Sequence, residues 1–227
     1  MTAPRGSVRP RTAMILAAGR GERMRPLSDA VPKPLLRVRG VPLIERHVRA
    51  LVGAGIAQIV INLCWLGSQI REHLGDGERY GAAIRYSEEA PLALEAAGGI
   101  VRALPNLSPG PFVVVNGDIF TDYRFDDLLI GPAADAHLVL VRNPQQHPRG
   151  DFGLDGGWAL ADDGVQCTFS GIAVYRTAIF DGLADGARPL KPLLLAAIAA
   201  RRCSAELYHG IWEDVGTVER LHDLNAG

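Results

Sequence analysis

The stretch Ile15–Lys33, with the sequence ILAAGRGERMRPLSDAVPK, decides how this chain is interpreted. It begins with small apolar residues, as a buried β-strand does, and continues into a glycine-rich loop. Because Gly19 and Gly21 have no Cβ, the backbone N–H groups of such a loop are open to a phosphate group. Arg23 and Lys33 then place two positive charges within reach of the same ligand. The stretch therefore predicts a binding loop for a nucleoside triphosphate.

Strand and helix patterns alternate around this loop. Apolar runs predict strands at Ala13–Ala17, Gln58–Asn62, Ala83–Tyr86, Phe112–Val115, Ala136–Val141 and Gly171–Tyr175. Helical patterns are found at about Pro42–Gly53, Ser68–Leu74, Gly98–Ala103, Arg188–Arg202 and Thr217–Asn225. The segment Asp151–Gly164 is rich in Gly and Asp and predicts a hairpin insertion or lid. The expected fold is α/β, a Rossmann-like three-layer sandwich with a mostly parallel mixed sheet and a small β-hairpin or lid insertion.

Length and composition bound the class of protein. The chain has 227 residues, 48% of them hydrophobic and 22% charged, as in a globular protein. We expect a flexible lead-in at residues 1–11 and a single domain at 12–227. The net charge of −1 offers no footprint for nucleic acid, and the longest apolar run, Leu193–Ala200, is too short for a membrane span. Cys64, Cys167 and Cys203 show no C-x-x-C spacing, so a reducing cytoplasm fits best.

Two common phosphate-binding motifs do not fit the glycine loop. A P-loop requires a Gly-Lys pair, which does not occur from Gly19 onward. A dinucleotide fingerprint requires a third glycine, but position 24 is Met24. The strand that would carry an acidic ribose ligand ends at Asn62, which is not acidic. These mismatches argue against an oxidoreductase of the Rossmann type.

A longer pattern does fit, Gly-x-Gly-x-Arg-Met-x-Pro-Leu followed by Pro32-Lys33-Pro34-Leu35. It resembles the signature of the sugar-1-phosphate nucleotidyltransferases. Arg23 supplies a planar cation for the β- and γ-phosphates. The prolines that flank Lys33 stiffen the backbone and present its ammonium group as a fixed point charge. The alternative is a turn with solvated surface charges, and for Arg20 and Arg25 we expect solvent or acidic neighbours.

Two carboxylates are candidate metal ligands. Asp118 follows the apolar strand Phe112–Val115, and ligands of open α/β sheets bind beyond the carboxyl ends of strands. Asp214 lies just before a predicted helix. Magnesium is satisfied by one or two carboxylates together with substrate phosphates. Asp118 could instead be a turn residue and Asp214 a helix cap, although Thr217 is better placed to cap. The sequence alone does not show whether the two acids meet.

The resemblance extends from Thr12 over nearly the whole chain and is closest to the bacterial N-acetylmuramate 1-phosphate uridylyltransferases. It is carried by Ile61–Gly67, Val115–Tyr123, Arg149–Phe152 and Thr168–Gly171. It implies a nucleotide site formed by Leu16, Ala17, Ala18, Gly19, Gly21, Glu22, Arg23, Lys33 and Asn116. It also implies sugar contacts from Asn116 and Asp151, and Mg²⁺ bound by Asp118 and Asp214. Arg23, Lys33 and Asp118 would be the catalytic residues.

The expected reaction transfers UMP from UTP to a sugar 1-phosphate, with N-acetylmuramate 1-phosphate favoured. It would be a step in the recycling of cell-wall sugars. Ala96, where relatives usually have Thr, and the absence of a Glu-Lys-Pro tripeptide after Asp151 leave base and sugar selection open. A hexose- or mannose-1-phosphate thymidylyl- or guanylyltransferase is the alternative. A non-catalytic nucleotide-sugar sensor belongs to another class and would need a broken motif, but none is broken. We expect a monomer or small homo-oligomer, with histidines that are packed or solvated.

Overall fold

The computed structural model of the protein describes residues 6–89 and 91–227. Its strands are β1 Thr12–Leu16, β2 Arg37–Val38, β3 Val41–Pro42, β4 Gln58–Leu63, β5 Ala83–Glu88, β6 Phe112–Asn116, β7 Ile119–Thr121, β8 Ala136–Val141, β9 Phe152–Asp155, β10 Trp158–Leu160, β11 Val165–Tyr175, β12 Cys203–Tyr208 and β13 Trp212–Asp214. Its helices are α1 Leu27–Ala30, α2 Leu43–Gly53, α3 Gly67–Leu74, α4 Glu95–Ala103, α5 Lys191–Ala199 and α6 Val218–Ala226. None of the described helices is long and apolar enough to cross a membrane.

A nine-stranded sheet dominates the described part of the chain. The strand order is β5-β4-β1-β6-β11-β8-β12-β10-β9. β11 and β10 run opposite to the other strands of this sheet, which share one direction. The expected α/β fold with a mostly parallel mixed sheet is therefore confirmed. β9 also pairs with β11, so the predicted hairpin insertion, formed by β9 and β10, folds back onto the sheet.

Both faces of the sheet are covered, which explains the continuous apolar run of β6. Val113 and Val115 point into the core on one face, where α2 and α3 pack. Val114 points into the core on the other face, where α4 and α5 pack. These three side chains are at most 3% exposed. Burial of a strand on both faces favours β-branched residues without polar alternation.

Several boundaries differ from the expectation. α4 begins at Glu95, one turn before the expected Gly98, and α5 covers only Lys191–Ala199 of the expected Arg188–Arg202. The chain then enters β12, which the sequence pattern did not reveal because only Cys203 and Ala205 of its six side chains are buried. Two glycines in α4 hide the helical pattern, since a Cβ at Gly98 would lie 2.2 Å from the Gly186 carbonyl oxygen. Close packing therefore requires glycine where helix propensity disfavours it.

The expected lead-in and the single domain stay predictions. Residues 1–5 of the lead-in lie outside the described residues. Within the described part, Val8 and Ile130 exchange two backbone hydrogen bonds of 2.9 and 3.0 Å. Pro10 is buried. The backbone at Val8 is thus held to the backbone at Ile130.

Candidate active site

The glycine-rich loop leaves the carboxyl end of β1 beside the carboxyl end of β6. β1 pairs in parallel with β6, with Leu16 opposite Asn116. The Gly117 N–H donates to the Leu16 carbonyl oxygen at 2.8 Å, which holds the two strand ends together. Asp118 therefore projects next to the loop, as expected for residues at the carboxyl edge of a parallel sheet.

The two glycines of the loop serve different purposes. Gly21 has a φ of +66°, a left-handed conformation that L-residues rarely adopt, and it starts the 3₁₀ turn Glu22–Met24. A Cβ at Gly21 would also lie 3.2 Å from the Cβ of Lys33. A Cβ at Gly19 would meet no described atom within 4 Å. The protein itself requires glycine at position 21, whereas Gly19 leaves space over the loop.

Lys33 and the two acids form one cluster. Lys33 Nζ lies 2.5 Å from Asp118 Oδ2 and 3.5 Å from Asp214 Oδ1. The lysine side chain is only 8% exposed, and each carboxylate is about one-third exposed. The structure thus brings together the residues that the sequence left apart.

A small β-ribbon explains why the acids meet. β7 begins directly after Asp118 and pairs in antiparallel fashion with β13, with Ile119 opposite Asp214. The Val215 N–H also donates to the Asp118 carbonyl oxygen at 3.2 Å. The ribbon packs through Phe120 and Val215 on a small apolar cluster beneath α6. It therefore fixes both carboxylates through backbone pairing.

Arg220 of α6 is a further member of the cluster. Its Nη1 donates to the Asp214 carbonyl oxygen at 2.9 Å and to Asp214 Oδ2 at 3.3 Å. Arg23 Nη2 lies 3.9 Å from Asp214 Oδ2, and its side chain is 70% exposed. Thr217 caps α6 by accepting the Arg220 N–H, so Asp214 is not the cap. Arg23 thus retains the freedom to reach a ligand, whereas Arg220 orients Asp214.

The donor set suits a hard divalent cation bound jointly with a substrate. Asp118 and Asp214 contribute carboxylate oxygens, which magnesium prefers. Among the described residues there is no group of three or more His, Cys, Asp or Glu side chains that could hold a metal ion. Two carboxylates with substrate phosphates are the arrangement typical of magnesium in phosphoryl transfer.

The predicted nucleotide residues line one cleft of about 470 Å³. Its walls include Leu16, Ala17, Ala18, Gly19, Gly21, Glu22, Arg23, Lys33, Asn116 and Asp118. This volume lies in the range of small-molecule sites. The structure therefore places the predicted set around a common space, and the role of each residue toward a ligand stays a prediction.

A polar pair that the sequence analysis missed supports the wall of this cleft. Asn62 Oδ1 accepts the Ala17 N–H at 2.7 Å, and Asn62 Nδ2 donates to Glu89 Oε1 at 2.6 Å. Glu89 Oε2 accepts the Leu94 N–H at 2.7 Å. Asn62 and Glu89 are 3% and 1% exposed. The Ala17 N–H is thus engaged within the protein, and the pair ties the end of β1 to the segment before α4.

A second groove adjoins the cleft on the side of β11. It is lined by Arg23, Asn116, Asp118, Asp151, Asp214 and neighbouring residues. Asp151 Oδ2 accepts the Phe169 N–H at 3.0 Å, and Asp151 Oδ1 lies 3.2 Å from His147 Nε2. Gly171, with a φ of +81°, lets Asn116 pack closely, since a Cβ there would lie 2.5 Å from Asn116 Nδ2. Asn116 and Asp118 border both spaces.

Two other arginines near the loop, Arg20 and Arg25, contact different kinds of partner. Arg20 stacks over the Trp65 ring, with its guanidinium carbon 4.3 Å from the ring centroid. The expectation of solvent or an acidic neighbour for Arg20 holds in part, since the residue is exposed to solvent. Its contact with Trp65 was not predicted, because Trp65 follows β4 and its position depends on tertiary packing. Arg25 does pair with the acidic Asp29 at 3.2 Å. Arg20 therefore holds the glycine loop against the end of β4.

His47 of α2 is a packed histidine, as expected. Its Nε2 lies 3.0 Å from the Ile119 carbonyl oxygen, and the residue is 2% exposed. Burial lowers the pKa of His47 from 6.5 to about 4, against the opposing effects of that hydrogen bond and of Asp118. His47 is therefore neutral near pH 7 and supports the β-ribbon from below.

The chain is similar to known proteins over most of its length. A family model described as nucleotidyl transferase matches residues 12–154. The chain is 48% identical over 228 residues to the N-acetylmuramate alpha-1-phosphate uridylyltransferase of Neisseria meningitidis, covering 94% of this chain and 96% of the relative. It is 33% identical over 223 residues to the protein of the same name from Caulobacter vibrioides, covering 91% and 92%.

The fold is also found among solved structures. HddC from Yersinia pseudotuberculosis, complexed with GMP-PN, superposes with a TM-score of 0.76 at 20% identity. The match covers 95% of this chain and 98% of that chain. At this level of identity the likeness shows a shared fold.

Proposed function

We infer the reaction from one premise: this chain belongs to the nucleotidyl transferase family. We propose that it transfers UMP from UTP to N-acetylmuramate 1-phosphate and releases pyrophosphate. The observation that carries the proposal is the convergence of Asp118 and Asp214 on Lys33 beside the glycine loop. The sugar and the base are those in the names of relatives at 48% and 33% identity.

The proposed reaction needs positioning and charge neutralisation, without a covalent intermediate. A sugar 1-phosphate carries a second negative charge above its second pKa of about 6. One of its oxygens attacks the α-phosphorus, a new P–O bond forms, and the bond to the β-phosphate breaks. Loop amides after β1 hold the phosphates, Lys33 holds the α-phosphate, and Arg23 neutralises the departing pyrophosphate. A magnesium ion held by Asp118 and Asp214 would bring the two phosphate groups together and neutralise their charge.

The adjoining cleft and groove are suited to bind two different substrates. We assign the cleft lined by Leu16, Ala17 and Ala18 to the nucleotide, and the groove that contains Asp151 to the sugar. Asn116 borders both and would contact nucleotide and sugar. The proposed setting is peptidoglycan recycling in the cytoplasm, by a monomer or small homo-oligomer that has no nucleic-acid or membrane partner.

Pyrophosphate release tests this proposal. The protein is incubated with each nucleoside triphosphate, Mg²⁺ and a panel of sugar 1-phosphates. We expect the highest kcat/KM with UTP and N-acetylmuramate 1-phosphate. A preference for dTTP or GTP with a hexose or mannose 1-phosphate would identify the alternative transferase. No pyrophosphate with any pair would favour a nucleotide-sugar sensor and contradict the proposal.

A pair of variants tests the site. Asp118→Asn removes a charge from the cluster and should lower kcat by about 10²–10³, the scale of losing one preorganised electrostatic group. Asp126→Asn is the matched control, because among the described residues Asp126 forms an ion pair with the exposed Arg124 and with no other cation. Circular dichroism and thermal unfolding check that both variants fold. Near-normal turnover in Asp118→Asn would contradict the site assignment.

A further inference from the structure

In the proposed active site, the acidic pair Asp118 and Asp214 already contacts a cationic side chain of the protein. Lys33 Nζ contacts carboxylate oxygens of both Asp118 and Asp214. We propose that Lys33 is the resident counter-ion of this pair in the nucleotide-free enzyme, and that a divalent metal ion enters only with the triphosphate, when Lys33 transfers from the carboxylates to a phosphate oxygen. This inference rests on the proposed function.

The local charge favours this order of binding. Three cationic side chains surround the pair, since Arg220 Nη1 and Arg23 Nη2 lie 3.3 and 3.9 Å from Asp214 Oδ2 in addition to Lys33. Arg220 Nε also lies 3.8 Å from Glu213 Oε1, so three carboxylates face three cations. A free divalent cation therefore meets no excess of negative charge. A triphosphate supplies that excess and the missing oxygen ligands together. No described residues offer a third acidic, histidine or cysteine ligand.

Lys33 has little freedom to withdraw. Its side chain is 8% exposed. It also packs closely on Gly21, because a Cβ added to that glycine would lie 3.2 Å from the Cβ and 3.4 Å from the Cδ of Lys33. Pro32 and Pro34 restrict its backbone, and the 3₁₀ turn Lys33–Leu35 fixes its direction. An ammonium group has three donor positions, two of which face Asp118 and Asp214. The ammonium group can therefore bind a phosphate only where that phosphate lies beside Asp118 and Asp214.

The residue type fits an exchangeable counter-ion. Lys33 and Lys191 are the two lysines of a chain that has 24 Lys and Arg residues in total. A guanidinium group would bind Asp118 in a planar, bidentate fork and resist exchange. A compact ammonium group binds as a point charge and can turn from one oxygen to another. Lysine thus suits a position where the anionic partner must change.

Manganese binding tests the inference without turnover. Free Mn²⁺ is measured by electron paramagnetic resonance with nucleotide-free wild type, Lys33→Met and the control Lys191→Met. We expect weak binding to wild type and control, and binding about tenfold tighter to Lys33→Met, which corresponds to about 1.4 kcal/mol. A non-hydrolysable UTP analogue should make the wild type bind Mn²⁺ tightly. Equal Mn²⁺ affinity of nucleotide-free wild type and Lys33→Met would overturn the inference.

Lysine-selective ¹³C labelling gives a test that needs no variant in the site. The wild type should give two side-chain signals, and Lys191→Met assigns them. We expect Mg²⁺ alone to leave the Lys33 signal in place, and Mg²⁺ with the UTP analogue to shift it, while the Lys191 signal stays constant. A shift of the Lys33 signal by Mg²⁺ alone, in an enzyme that releases pyrophosphate, would contradict this inference and leave the proposed function intact. Absence of pyrophosphate release would contradict the proposed function itself.

Discussion

Replacing Asn62 by aspartate should make the stability of the protein strongly dependent on pH. In the wild type, Asn62 accepts from the Ala17 N–H at 2.7 Å and donates to Glu89 Oε1 at 2.6 Å. In Asn62→Asp the first bond persists, but an oxygen replaces the amide donor and faces the Glu89 carboxylate. Both positions are at most 3% exposed, so water does not screen the repulsion. The folded variant therefore retains one proton between the two carboxyls.

The magnitude follows from proton linkage. Burial and the facing carboxylate raise the pKa of the introduced carboxyl above its ordinary value of about 3.9. Between pH about 3.9 and the raised pKa, the folded variant binds one more proton than the unfolded chain. The free energy of unfolding therefore falls as the pH rises through this range. The slope is about 1.4 kcal/mol per pH unit until the raised pKa is passed. Between about pH 5 and pH 7 the variant should lose ~2.7 kcal/mol relative to wild type, a large part of a typical ~5–15 kcal/mol.

Urea unfolding at about pH 5, 6 and 7 measures this loss for wild type and Asn62→Asp. Asn106→Asp is the matched control, since Asn106 is half-buried and its side chain forms no hydrogen bond with a described residue. The KM for UTP should rise at the higher pH, because the pair supports the cleft wall. Stability curves of Asn62→Asp and wild type that stay parallel within about 0.5 kcal/mol would refute the reasoning.

Three further substitutions test other parts of the account. His47 has a pKa lowered by burial from 6.5 to about 4, so the unfolded chain binds more protons between those values and stability is lost as the pH falls. His47→Gln should reduce that loss by about 1.4 kcal/mol per pH unit, measured by urea unfolding. Gly216→Ala places a Cβ 2.8 Å from Asp214 Oδ2 and should lower kcat about tenfold or more with an unchanged melting temperature. Trp65→Ala removes the stacking of Arg20, which contributes about 0.5–1 kcal/mol at an exposed site. In steady-state kinetics the KM for UTP should rise about two- to fivefold. An unchanged KM would show that the stacking does not position the loop.

The features predicted well from the sequence are those written in consecutive residues. The strand and glycine loop of Ile15–Lys33 and the apolar run before Asp118 are local patterns, and the structure has both. The hairpin after Asp151 follows from its Gly and Asp content, and Gly156 and Gly157 adopt positive φ at its turn. Local conformational preference and burial act in the same direction at these positions.

The features that were missed depend on contacts between remote segments. β7 and β13 have three residues each, too few for a periodic pattern, yet their pairing brings Asp118 to Asp214. Arg220 and Asn62 acquire their roles only when α6 and β4 pack beside the site. A polar residue within an otherwise apolar strand was a signal for Asn62, because an unpaired amide is costly in a core.

We propose that a triphosphate lies over the amides that follow β1, with a divalent ion between it and the two acids. A crystal structure with a non-hydrolysable UTP analogue and Mg²⁺ tests this most directly. We expect phosphates at Gly19 and Gly21 and a metal ion within coordination distance of Asp118 and Asp214, about 2.1 Å. A nucleotide bound elsewhere, or a metal ion that contacts neither carboxylate, would contradict it.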